Sequence, residues 1–119
     1  MTDLNRKTAE LMGWTEDIGY DERTYPLEEG RFYFLDDGSI YTVYKEDRFI
    51  WSPATDYNQA FMLVEELGLA FNLKYSYKIR RGKKCYCSFW SWDHRVSESY
   101  ASSIPEAICL AYIQAKESE

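Results

Sequence analysis

Residues 69–92, LAFNLKYSYKIRRGKKCYCSFWSW, place two alternating arms on either side of an Arg-Gly turn. A period of two sends successive side chains to opposite faces of a strand, so the stretch reads as an antiparallel β-hairpin. A two-residue loop, Arg81-Gly82, and a four-residue loop over residues 80–83 give the same pairing. Tyr86 then faces Tyr77, Ser88 faces Tyr75, Trp90 faces Leu73 and Trp92 faces Phe71; with Ile79 these would form one aromatic core face. The other face would pair Cys85 with Lys78, Cys87 with Ser76, Phe89 with Lys74 and Ser91 with Asn72, a polar face or one lightly covered by a helix. An odd number of extra residues anywhere in the hairpin would exchange the two faces.

Elsewhere the chain supplies more strands and three helices. RFYFL and SIYTVYK flank Asp36-Asp37-Gly38, a hairpin signal; with Asp37-Gly38 as the loop, Phe32 lies opposite Val43 and Phe34 opposite Tyr41. Both faces of that hairpin are apolar, so it is expected between two layers. RFIW adds a short strand. A first helix runs from Asp3 toward Trp14 with Leu4, Leu11 and Met12 near one face, and Gly13 can end it. WSPATDYNQAFMLVEELG reads as a second, capped by Thr55 or Ser52 with Asp56 at its positive end and stopped by Gly68. Its inner stripe would be Tyr57, Ala60, Phe61, Val64 and Leu67. SIPEAICLAYIQAKE is a third, with Ser103 and Glu106 as a capping box, Pro105 in the first turn, and a small-residue stripe of Ile104, Ala107, Ile108, Ala111 and Ala115. Cys109 reads as packing on that helix. Residues 15–30 form an acidic, turn-rich connection, long enough either to be functional or simply to wrap a sheet edge.

A chain of 119 residues without linker, repeat or low-complexity tract reads as one domain, residues 1–119. The 21 aromatic residues (4 Trp, 11 Tyr, 6 Phe) exceed what one thin core can hide, which calls for a covered sheet or for rings that meet a ligand or partner. The expected class is α+β: an antiparallel sheet of about four to six strands sandwiched between α-helices.

Charge is uneven. The net charge of −6 argues against general nucleic-acid binding, which needs a positive footprint. Residues 1–37 hold ten acids and four bases, whereas residues 74–95 hold seven bases and one acid. Lys74, Lys78, Arg80, Arg81, Lys83 and Lys84 can bind phosphate or carboxylate, Phe89 can stack a ring, and Arg95 can join them; the same lysines can equally serve to keep a sheet edge soluble. Cys85 and Cys87 point the same way on a strand, but zinc sites take thiols from turn-like spacings backed by a second pair, so no metal is expected. Packed thiols fit better, with lysine-activated reactive thiols as the alternative. The lone His94 beside Asp93 could act as a base, yet no serine motif, second histidine or glycine-rich phosphate loop accompanies it. No catalytic residue and no cofactor is assigned. No segment approaches membrane-spanning length or signal-peptide character, and three cysteines build no disulfide framework, which points to a reducing cytoplasm.

Three phrases taken together resemble the phage ABA sandwich domain family, small proteins of phages and prophages. They are Leu11-Met12-Gly13-Trp14 closing a helix, Trp51-Ser52-Pro53-Ala54-Thr55-Asp56 opening one that continues to Ala60 and Val64-Glu65, and Ala107-Ile108-Cys109 with Ala111 and Ala115 in the closing helix. The resemblance implies an antiparallel sheet between helical layers, in the host cytoplasm if phage-encoded. It carries no established reaction and assigns no functional residue; the acidic 15–30 segment and the basic 80–84 turn depart from it. The reading that results is a non-enzymatic binding protein that sequesters an anionic, nucleotide-like ligand or occupies a host protein. The alternative is an acidic decoy that mimics nucleic acid and blocks a DNA-binding host factor, using Glu28, Glu29, Asp36 and Asp37.

Overall fold

A computed structural model of the chain describes residues 2–18, 26–80 and 83–118, with the side chains of Thr2, residues 76–80 and Lys83 outside that description. The chain divides into two compact units, Met1–Ser52 and Pro53–Glu119. The α+β class and the dominance of antiparallel pairing are as expected, but the strands are shared between two sheets rather than gathered in one.

The first unit holds α1 (Thr2–Leu11), β1 (Thr15–Glu16), β2 (Arg31–Phe34), β3 (Ile40–Tyr44) and β4 (Asp47–Trp51), with sheet order β1-β2-β3-β4. Gly13, at φ +88°, turns the chain out of α1. Thr15 and Glu16, expected in a loop, instead pair in parallel with Arg31 and Phe32. Residues 19–25 of the acidic segment lie outside the described residues. In the β2–β3 hairpin the register departs from expectation: Phe32 faces Thr42 and Phe34 faces Ile40. The loop has three residues, not two. Leu35 N–H donates to Ser39 O (2.8 Å) and Gly38 sits at φ +88°, the left-handed third position that such a loop needs. One extra residue moves β3 by one place, and Ile40 and Thr42 therefore join Phe32 in the interior. The same core holds Trp14 against Trp51, edge to face with centroids 4.7 Å apart. Trp51 Nε1 donates to Thr8 Oγ1 (3.1 Å), which satisfies the one polar atom of a fully buried indole.

The second unit holds α2 (Tyr57–Leu67), β5 (Ala70–Arg80), β6 (Lys83–Ser91), β7 (His94–Ala101) and α3 (Ile104–Glu117), with sheet order β5-β6-β7. Asp56 is the N-cap of α2, accepting from Gln59 N–H (3.0 Å), and Gly68 closes the helix at φ +68°. Its buried residues are Ala60, Leu63 and Val64; Tyr57, placed inside from sequence, is exposed in the first turn next to the Asp56 cap. Ser103 caps α3 by accepting from Glu106 N–H (3.3 Å), with Pro105 in the first turn.

The β5–β6 hairpin has its two faces exchanged relative to expectation. Arg80 does pair with Lys83, so the even loop holds, but farther along Tyr75 faces Cys85, Leu73 faces Cys87 and Phe71 faces Phe89. Between Tyr75 and Arg80 the register shifts, three more residues lying on β5 than on β6, and an odd insertion inverts every side chain beyond it. Cys85, Cys87 and Phe89 are consequently buried on one face; Tyr86, Ser88 and Trp90 lie on the other. Ser97 Oγ donates to Ala111 O of α3 (2.8 Å), so the cysteine-bearing face is the one covered by that helix.

Candidate functional site

At the far end of β6 the chain reverses in two residues, Trp92 and Asp93, with Ser91 opposite His94. Of these two only Trp92 has positive φ, at 57°. That pattern belongs to a hairpin turn whose first position is ordinarily glycine, because a Cβ crowds the backbone there. The residue occupying it is the bulkiest one available, and its side chain is 96% exposed. Sequence reasoning had placed Trp92 inside, opposite Phe71; the exchanged faces and the tight turn put it at the hairpin tip instead.

Beside the tip lies a groove of about 430 Å³ lined by Leu67 and Leu69, by Ser91, His94, Arg95 and Val96, and by Ala115 and Ser118. Leu67, Leu69, Val96 and Ala115 give it an aliphatic part. His94 and Arg95 bring N–H donors from the hairpin, while the carbonyl-bearing C-terminal ends of α2 and α3 border it through Leu67 and Ser118. Helix C-termini carry partial negative charge, so the lining of the groove offers acceptors as well as donors. That mixture suits a polypeptide, which carries both N–H and C=O groups, better than a phosphate. A smaller hollow of about 120 Å³ in the first unit, among Asn5, Ser39, Ile40 and Trp51, has room only for a few waters.

Of the residues assigned from sequence to an anion site, Lys74, Phe89 and Arg95 have described side chains, and these three do not converge. Lys74 is exposed, with Nζ 5.7 Å from the centroid of the Tyr86 ring. Phe89 is fully buried on the opposite face of the sheet and cannot stack a ligand there. Arg95 belongs to the other end of β6 from the basic turn, about 25 Å away for nine extended residues. Its guanidinium is engaged with Glu98 (Nη1–Oε2 3.1 Å), a carboxylate that also accepts from Tyr86 OH (2.9 Å). Burial raises the Tyr86 hydroxyl above its ordinary range, and the Glu98 carboxylate adds to the shift. Arg81 lies outside the described residues, as do the side chains of Lys78, Arg80 and Lys83.

The thiols are packing groups. Cys85, Cys87 and Cys109 are free and buried, and burial pushes Cys87 and Cys109 up to about 12. Burial also raises Cys85, only partly opposed by Lys84. Thiols held protonated in this way are not the activated nucleophiles that nearby lysines would have produced. No cluster of three metal-ligating side chains occurs among the described residues. His94 and Asp93 are both exposed at the turn.

The site is thus an exposed aromatic tip with an amphipathic groove on an α+β scaffold. The fold is similar to that of a phage protein from Bacillus cereus ATCC 14579 known from its crystal structure, with a TM-score of 0.59 and 14% sequence identity over 96% of this chain and 89% of that one. No family model matches the chain, and no curated protein matches it in sequence. At this identity the likeness is one of fold. No helix among the described residues is long and apolar enough to cross a membrane.

Proposed function

We propose that this chain is a non-enzymatic binding protein of phage or prophage origin, of the ABA sandwich kind, that acts in the cytoplasm by occupying a host protein. Trp92 is the anchor, and the groove beside it takes the partner's backbone. The single observation that carries this reading is Trp92 itself, 96% exposed and held at φ 57°. Tryptophan and arginine are the side chains most enriched at energetic centres of protein interfaces, and Arg95 lies three residues away. The fold likeness to a phage protein supports the origin. Sequestration of a small anion has less support, because Arg95 is paired and the groove borders two helix C-termini. The decoy reading has less as well: Arg6 bridges Glu10 (2.9 Å) and Glu16 (3.7 Å), Arg31 bridges Asp17 (3.4 Å), and the Asp37 carboxylate is spent on the N–H of Ser39.

The test is affinity capture from bacterial lysate with the wild type, Trp92→Ala and Lys84→Ala. A stoichiometric partner retained by the wild type and Lys84→Ala, and lost by Trp92→Ala with its melting temperature unchanged, is the expected result. Equal capture by Trp92→Ala overturns the reading. So does a nucleotide that raises the melting temperature of wild type and Trp92→Ala alike, which would return the anion hypothesis to first place.

A further inference from the structure

Among the described residues four strands stand at the edges of the two sheets, and three of them are guarded. β1 has only two residues. β4 is short and leads with exposed Asp47 and Arg48. β7 carries a register shift, and Gln114 Oε1 accepts from its Glu98 N–H (2.7 Å), so a side chain sits where a foreign strand would pair. Bulges, charges, shortness and cover are the ordinary means by which an edge is kept from pairing with another chain.

β5 has none of these over its first six residues. It is eleven residues long, it pairs only with β6, and residues 70–75 carry a single charge, Lys74. Its helix-side positions are apolar yet poorly covered: Phe71 is 47% exposed and Tyr75 69%, with Leu73 half-buried between them. Phe71 is touched by Phe61 of α2, edge to face at 6.2 Å, which fixes one ring of this strip in place. Every second backbone N–H and C=O along this run points away from β6 and has no strand to meet it among the described residues.

The geometry points to a second copy of this chain as the occupant, paired antiparallel through β5 to give a continuous six-stranded sheet. A two-fold axis that keeps α3 on the same side of both halves requires each residue to face one of its own parity. Only a few registers satisfy this. Centred on Lys74, the pairing sets two ammonium groups against each other, which is destabilising. Centred on Asn72, it leaves Tyr75 outside the apolar run, opposite Leu69. Centred on Leu73, it places Leu73 against Leu73, Phe71 against Tyr75 on both sides, and each Lys74 against an uncharged Asn72. No like charges meet, and Phe71, Leu73 and Tyr75 of each copy close over those of the other. The register shift after Tyr75 ends the pairable segment where the basic residues begin.

Sedimentation equilibrium over a concentration series tests this, and Asn72, whose own side chain is exposed, supplies variants that do not endanger folding. The wild type should be a reversible dimer. Asn72→Asp creates two Asp–Lys pairs across the axis and should tighten the dimer about 2- to 30-fold; Asn72→Lys creates two Lys–Lys pairs and should weaken it by a similar factor. Leu73→Lys should give a monomer. A wild type that stays monomeric into the millimolar range overturns the proposal, as does a dimer whose affinity ignores both Asn72 changes. The inference is independent of the proposed Trp92 interface, and Trp92→Ala should dimerise like the wild type.

Discussion

Replacing Trp92 with glycine should make the protein more stable, although it removes the largest side chain in the sequence alphabet. The ring is 96% exposed, so its loss forfeits almost no buried surface. What the substitution removes is the clash of a Cβ at φ 57°. An L-residue in the left-handed region costs about 1–2 kcal/mol, and a glycine gives back about 0.4–1 kcal/mol through the greater freedom of its unfolded chain. The net gain is about 0–1.6 kcal/mol, centred near 0.8 kcal/mol, or roughly 3–5 °C in melting temperature at that centre for a chain of this size. Trp92→Ala is the control: it deletes the ring, keeps the Cβ, and should leave stability within about 0.5 kcal/mol of wild type. Urea unfolding followed by far-ultraviolet circular dichroism measures both without relying on indole fluorescence. If the glycine variant is no more stable than the alanine variant, the turn stores no strain. If the alanine variant loses several kcal/mol, the ring is packed rather than displayed, and the binding role given to it fails with the energetics. The expected pattern, a turn that glycine would relax and that carries tryptophan instead, is what a functional constraint at the tip requires.

Two further outcomes follow from named contacts. Lys45 and Glu46 both have positive φ, 50° and 72°, in the two-residue turn between β3 and β4, where Asn-Gly is the relaxed choice. Lys45→Asn with Glu46→Gly should stabilise by about 1–2 kcal/mol in urea titration, since the Lys45 N–H that donates to Glu29 Oε1 (2.7 Å) is retained; an unmoved midpoint would refute it. Cys87 and Cys109 keep their protons to about 12 when folded and lose them from an ordinary value of 9.0 when unfolded. Below pH 9 both states hold the proton and the thiols add no pH dependence. Above it the unfolded chain releases protons that the fold retains, so stability falls by about 1.4 kcal/mol per pH unit for each thiol. Cys87→Ala should flatten that alkaline slope, and a slope identical to wild type would show that the thiol is not desolvated.

The elements themselves were legible in the chain because their signals are local. Gly68 ends α2, Ser103 and Pro105 open α3, and period-two runs mark β3, β5 and β6; a cap or an alternation acts through the few residues on either side of it, although the cap of α2, expected at Thr55 or Ser52, lies at Asp56. Charge was legible for the same reason, including the contrast between residues 1–37 and 74–95. Which side of a strand faces inward is a different kind of quantity. It depends on the parity of every residue between turn and position, so the three-residue loop at Asp36–Gly38 and the odd insertion between Tyr75 and Arg80 each inverted a face that alternation alone had predicted. The candidate site moved with that parity: Phe89 went into the interior and Trp92 came out, while Arg95 is kept from the basic turn by the length of β6 in either arrangement. Only the folded sheet, through α3 seated on Ser97 and the buried thiols, decides between two arrangements that the amino-acid order permits equally, because both satisfy the same local preferences and differ only in what lies across the layer.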